Sequence, residues 1–190
     1  EMCIRDRYIA FAMLAETSDG NTRQQILDML GAQDMDTLRE NVSSLWESNY
    51  ADTPALKSVL ANSLWLDSEE SYNDATLQRL AEQYYASTFR GTPGSKEMDQ
   101  ALQTWTDNNT GGLLKEYTKD MAIAPDTVFE LVSTIYYKAM WRENFWEVNT
   151  EKETFHGTAG DTDVDMMKKT ERMDVYQGEQ FTAIGLSLQD

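Results

Sequence analysis

Apolar positions recur along this chain with two periods, and the switches between them mark out its elements. Residues 8–15, YIAFAMLA, are apolar almost all round, which predicts the end of a buried helix. The polar turn SDGNT follows. Thr22 with Gln25 then offers a capping box for a short helix carrying Ile26, Leu27 and Leu30, and Gly31 stands where a C-terminal glycine belongs. Thr37 and Glu40 repeat that signal ahead of Leu38, Val42, Leu45 and Trp46, which share one helical face. At Leu56 the period drops to two, placing Leu56, Ser58, Leu60, Asn62, Leu64 and Leu66 on one face of a strand. Asn73 caps a helix with Leu77, Leu80, Ala81 and Tyr84 at helical spacing, and residues 85–90 read as a short strand. Past the loop GTPGS, Met98, Ala101, Leu102 and Trp105 mark one more amphipathic helix, ended by Asn109, Gly111 and Gly112.

Residues 127–155 organise the rest. Up to Trp141 this stretch has no Pro or Gly and is dominated by β-branched and aromatic residues, which predicts a long buried strand. Phe129, Leu131, Ser133, Ile135 and Tyr137 point one way, and Val128, Glu130, Val132, Thr134, Tyr136 and Lys138 the other. The odd face is nearly all apolar and is expected to meet the core, the even face being mixed. Ser133 is the one small polar residue among those apolar ones. Buried there, its hydroxyl requires a hydrogen-bond partner. TDVDMMKK and MDVYQ give two further strand candidates beyond Phe155, followed by FTAIGLSL. No internal repeat or change of composition marks a second domain, so the pattern predicts one α+β domain with several sheets and surface helices.

The residues of this stretch resemble the serpin signature. The family form, roughly L-V-N-A-I-Y-F-K-G-x-W and then F-x-x-x-x-T-x-x-x-x-F, is matched by Leu131, Val132, Ile135, Tyr136, Lys138, Trp141, Phe145, Thr150, Phe155 and His156. Other matches lie in register with it: residues 20–31 (G-N-T-x-x-Q-I-x-x-x-L-G), Ala61, Asn62, Leu64 and Trp65, then Trp105, Thr110, Gly112 and Leu114, then Val164, Met166 and Met167. The resemblance covers residues 8–188, about the first half of such a protein. Four positions depart from it: Ser133 for the usual Asn, Ala139 for Gly, Glu147 for a common Pro and Thr17 for Gly. Ser133 matters most, since the family Asn helps hold the central sheet where it opens.

Composition narrows the chemistry. Apolar residues make up 41% of the chain, enough for a core, and the formal net charge of −17 with no basic patch argues against nucleic-acid binding. No run of 18 apolar residues exists to cross a membrane. His156 is the single histidine and follows a strand, no nucleophile elbow is present, and acidic pairs such as Glu69 and Glu70 read as solvated turn charges. The sequence therefore gives no catalytic, metal or cofactor site. The triplets Asn41-Val42-Ser43 and Asn108-Asn109-Thr110 match the glycosylation sequon, a pattern common by chance. Residues 1–7, EMCIRDR, resemble the translation of a sequencing-library adapter, and they hold the only cysteine, Cys3. They are expected to contribute nothing to the fold, being exposed or at most an accidental helix extension of residues 8–15, and this leaves residues 8–190 as a partial domain.

The resemblance implies an inhibitor of serine-type or cysteine-type proteases, not an enzyme. An exposed loop is offered to the target, cleaved, and inserted as an extra strand beside residues 127–141, a conformational trap. Ser133 would lie where the sheet parts and Trp141 near the start of insertion. Asn62, Lys138, Phe145, Thr150, Phe155, His156, Trp105, Thr110 and Gly112 would be structural supports. The reactive loop lies in the C-terminal part of such proteins, outside this chain. The alternative is a non-inhibitory carrier, storage or binding protein on the same fold. The family implies an extracellular or cell-surface location. The chain itself is expected to self-associate through the open edge of its long strand.

Overall fold

The alternation that begins at Leu56 becomes β2 (Leu56–Asp67), the central strand of the computed structural model, which describes residues 2–189 and side chains from residue 7 onward. The chain divides into two units, residues 1–137 and 138–190. In the first, α1 (Met2–Thr17), α2 (Gly20–Leu30) and α3 (Met35–Asn49) precede the short β1 (Ala51–Asp52) and β2. Then come α4 (Asp74–Tyr84), β3 (Ala86–Gly91), α5 (Lys96–Asn109) and β4 (Phe129–Ala139), whose last two residues belong to the second unit. The backbone of α1 runs unbroken from Met2, while Glu1 and the side chains of residues 2–6 lie outside the described residues.

β2 pairs with β3 in parallel from Asn62↔Ala86 to Asp67↔Gly91, and with β1 antiparallel at Ser58↔Ala51. β4 also pairs with β2. The Asp67 N–H donates to Val128 O at 3.0 Å, while the side chains of Asn62 and Ser133 meet five residues further along in opposite senses. The two strands are therefore antiparallel. Among the described residues β4 has no other strand partner.

Both faces of this sheet are covered. On one, Leu60, Leu64 and Leu66 pack with Ile9, Met13, Leu27, Leu38, Val42, Leu80 and Tyr84 of the first four helices, joined by Leu131 and Ile135 of β4. On the other, Trp65 packs with Met98, Leu102 and Trp105 of α5 and with Ile123, joined by Val132. Each fully buried Leu contributes about 1.5–3 kcal/mol relative to an exposed one. Of the expected odd face, Leu131 and Ile135 meet the larger core, but Phe129 and Tyr137 are exposed, so the strand is less buried than its pattern suggested. On the mixed even face, Val132 meets the apolar stripe of α5.

Three local readings are corrected. The capping residues of α2 and α3 are Asp19 and Asp34, not Thr22 and Thr37. Asp34 Oδ1 accepts the Thr37 N–H at 2.8 Å, and a charged acceptor at a helix N-terminus outcompetes a hydroxyl inside the first turn. Tyr85 does not begin β3. It closes α4 with φ 53, its N–H bonded to Leu80 O and its ring stacked on Trp46 at 4.0 Å. The long strand is also two residues shorter at each end than residues 127–141.

The second unit holds two hairpins. β5 (Thr150–Gly157) and β6 (Gly160–Met167) pair from Thr150↔Met167 to Gly157↔Gly160, and β7 (Val175–Gln177) pairs with β8 (Thr182–Ile184). Trp141 forms an isolated antiparallel bridge with Leu188.

Candidate functional site

The residues that meet between β2 and β4 are Asn62, Ser133 and Tyr84. Asn62 is 2% exposed, and its Nδ2 donates to Tyr84 O, at the end of α4, at 2.9 Å. That leaves Asn62 Oδ1 to accept from Ser133 Oγ, also at 2.9 Å. One carboxamide thus ties the central strand to a helix on one side and to the outer strand on the other. Ser133 is hydrogen-bonded as the pattern requires, but it is only half-buried, because β4 has no further strand to cover its outer side. The buried hydroxyl of β4 is the next one, Thr134, 8% exposed and without a hydrogen-bond partner. It lies on the even face, under α5. Thr106 of α5 is likewise buried with an unpartnered Oγ1, so the layer between helix and sheet holds two unsatisfied hydroxyls. Each such group costs about 1–3 kcal/mol.

α5 is held over the sheet through its ends. Ser95 caps its start, and Trp105 sits in the core beneath it. Thr110 is buried after its last turn, with Oγ1 bonded to Thr106 O at 2.8 Å. Gly112 carries φ +73, and its N–H reaches back to Asp107 O at 2.8 Å. Between them Gly111, φ +60, lies so close to β4 that an added Cβ would stand 2.6 Å from Tyr136 Cζ. Sequence spacing identified these glycines as a helix end. The contact with Tyr136 carries no sequence signal, since it joins residues in different elements.

The remaining expected residues lie at or beyond the end of β4. Lys138 is exposed and has no ion-pair partner among the described residues. The Trp141 ring meets Phe145 edge-on with centroids 6.0 Å apart, and Lys169 Nζ lies 5.4 Å from the Phe145 centroid. Thr150 and Phe155 sit on β5, the latter 55% exposed, and His156 Nδ1 lies 2.8 Å from Asp161 Oδ1 across the hairpin on the surface. His156 thus has the setting of an exposed structural residue. Among the described residues no group of three His, Cys, Asp or Glu is placed to hold a metal ion, and no helix is long and apolar enough to cross a membrane.

The family described as Serpin (serine protease inhibitor) matches residues 7–190. The chain belongs to the serpin family. Serpin-Z2A of Oryza sativa subsp. japonica is 29% identical over 188 residues, 94% of this chain and 44% of that protein. Human antithrombin-III is 28% identical over 165 residues, 80% of this chain and 35% of that protein. The structure of Arabidopsis AtSerpin1 in its native stressed conformation superposes with a TM-score of 0.85 at 25% identity, covering 97% of this chain and 49% of that one. The chain therefore spans about half the length, or less, of these relatives, and its serpin fold is incomplete.

Proposed function

We propose that this serpin chain is part of a serine-type or cysteine-type protease inhibitor that traps its target by inserting a cleaved loop as a new strand beside β4. The observation that carries this reading is the open side of β4, which has only β2 as a strand partner among the described residues. An inserted strand needs such a row of unpaired N–H and C=O groups. The Ser133–Asn62 link supports it, because it fastens β4 to β2 on the side away from the opening. Asn62 and Ser133 are assigned to hold the parting of the sheet, and Trp105, Thr110 and Gly112 to seat α5 across it. Lys138, Trp141, Phe145, Thr150, Phe155 and His156 are assigned as supports at or beyond its end. The likeness to antithrombin-III supports an extracellular or cell-surface location. The open edge also supports self-association of the 190-residue chain.

The test is incubation of a reading frame extended beyond Asp190 with a panel of serine and cysteine proteases. A covalent complex that survives denaturing electrophoresis is the expected result. Rapid cleavage of the chain with no complex for any protease would favour the non-inhibitory carrier or storage reading. The 190-residue chain alone should form no such complex.

A further inference from the structure

Glu16 reaches the link between β2 and β4 through a single residue. Its Oε1 accepts from Arg39 Nη2 at 2.9 Å and Arg79 Nε at 2.6 Å, and its Oε2 from Arg39 Nε at 2.9 Å and the Tyr84 hydroxyl at 3.2 Å. Arg79 and Tyr84 both belong to α4. A helix gripped at two points about 1.4 turns apart can neither rotate nor slide without breaking one of them. Tyr84 is also the last residue of α4. A carbonyl in the last turn of a helix has no partner within it, and the Tyr84 carbonyl accepts from Asn62 Nδ2 at 2.9 Å. Tyr85 then turns the chain at φ 53, and Ala86 pairs with Asn62 as β3 begins. The seat of the Asn62 side chain is therefore set by where α4 ends. Its Oδ1 in turn receives the Ser133 hydroxyl at 2.9 Å. One path thus runs from α1 to β4.

Burial makes this path stiff. Glu16, Tyr84 and Asn62 are each 2% exposed or less, so no water is at hand to replace a bond that is lost. Loosening the Tyr84 ring frees the last turn of α4. With the Tyr84 carbonyl displaced, the Asn62 amide loses the partner that tells its two ends apart. We propose that Glu16 is a positioning residue for the fastening of β4 to β2, acting through Tyr84 on Asn62 and Ser133. All four residues lie within residues 1–137, so the coupling belongs to the first unit alone. Its use rests on the function proposed above: it keeps β4 moving with β2 as one piece when a strand inserts on the other side of β4.

The experiment is amide hydrogen exchange, read residue by residue by NMR, on the chain and on its Tyr84→Phe, Ser133→Ala and doubly substituted variants. No protease takes part, so the outcome is separate from that of the function proposed. Tyr84→Phe removes one hydroxyl and keeps the ring. It is expected to speed exchange of the protected β4 amides about tenfold or more, and of those in α2, outside the path, by less than about threefold. A loss of overall stability would speed both by one common factor. Ser133→Ala should speed the same β4 amides, and adding it to Tyr84→Phe should change them little further, because the fastening is already loose. Glu16→Gln, which keeps the shape and loses the charge, should also speed β4 beyond α2. Equal factors in α2 and β4 for Tyr84→Phe, unchanged β4 rates, or single effects that multiply in the double variant overturn the coupling. In Glu16→Gln, β4 rates that only follow those of α2 overturn the role of Glu16.

Discussion

Glu16 and Arg39 meet in a two-point pair, Nε to Oε2 and Nη2 to Oε1, each at 2.9 Å, with the carboxylate 1% exposed between α1 and α3. Arg79 Nε adds a bond to Oε1 at 2.6 Å, and the Tyr84 hydroxyl one to Oε2 at 3.2 Å. Burial by itself raises the Glu16 pKa, but the hydrogen bonds and charges of Arg39 and Arg79 outweigh it and hold the group below its ordinary value. Tyr84 is pushed up, first by its own burial and then by that carboxylate. One acid thus joins α1, α3 and α4, and it is the same Tyr84 whose carbonyl orients Asn62.

Removing that acid strands two guanidinium groups. Glu16→Ala should cost about 3–5 kcal/mol, the usual loss when one member of a buried ion pair is deleted. Because the folded pKa is depressed, the stabilisation is present above the unfolded value, near 4.5, and lost as pH falls through the folded one. Denaturant midpoints of wild type and Glu16→Gln should differ at pH 7 and converge on acidification below pH 4.5. A gap independent of pH would show that the charge is not what Glu16 contributes.

Ser133→Ala should cost about 0.5–1.5 kcal/mol, because Asn62 loses one donor at a site that water can reach. Asn62→Ala should cost more, since it leaves both the buried Tyr84 carbonyl and the Ser133 hydroxyl unmatched. Urea unfolding of the two variants should give that order, and the reverse order would place the link elsewhere.

Thr106→Val removes a buried hydroxyl with no partner and keeps the branched shape. It should stabilise the chain by about 1 kcal/mol. A lowered melting midpoint would mean that the hydroxyl is satisfied in solution, by water for instance.

Gly111→Ala and Gly112→Ala separate crowding from backbone strain. Both positions have positive φ, but only at Gly111 does the added carbon meet a neighbour, Tyr136, at 2.6 Å. Gly112→Ala should therefore cost about 1 kcal/mol and Gly111→Ala clearly more. Adding Tyr136→Leu to the second should recover part of the difference in melting midpoint.

Deleting residues 1–6 should leave the melting midpoint within about 2 °C, the family match beginning at Arg7. A fall of 10 °C or more would make them part of the fold.

Elements were legible in the sequence where a period was strong, and pairings were not. Leu56 to Leu66 announced a strand through alternation, and Asn73 announced a helix start through its own side chain. The signature around Leu131 and Trp141 carried the family. What eluded the pattern depends on distance along the chain. Ser133 bonds a residue 71 positions away, and nothing local names Asn62 as its partner. Thr134 was placed on the mixed even face, and nothing local showed that α5, folded from residues 96–109, would cover that face. Glu16 was hidden for the same reason, its partners lying 23 and 63 positions away.

The Asn62 carboxamide has a direction, and that direction limits what position 133 can hold. With its NH2 group committed to the Tyr84 carbonyl, Asn62 shows β4 an acceptor only. The neighbour must therefore give a proton: Ser, Thr or Asn can, whereas Asp, which when ionised only accepts, would face oxygen with oxygen. A saturation library at 133 selected for folding should retain the donors of suitable size and discard Asp while tolerating Asn, two side chains nearly identical in shape. The backbone of α4 would thereby decide, through one amide, which residues β4 is permitted to carry.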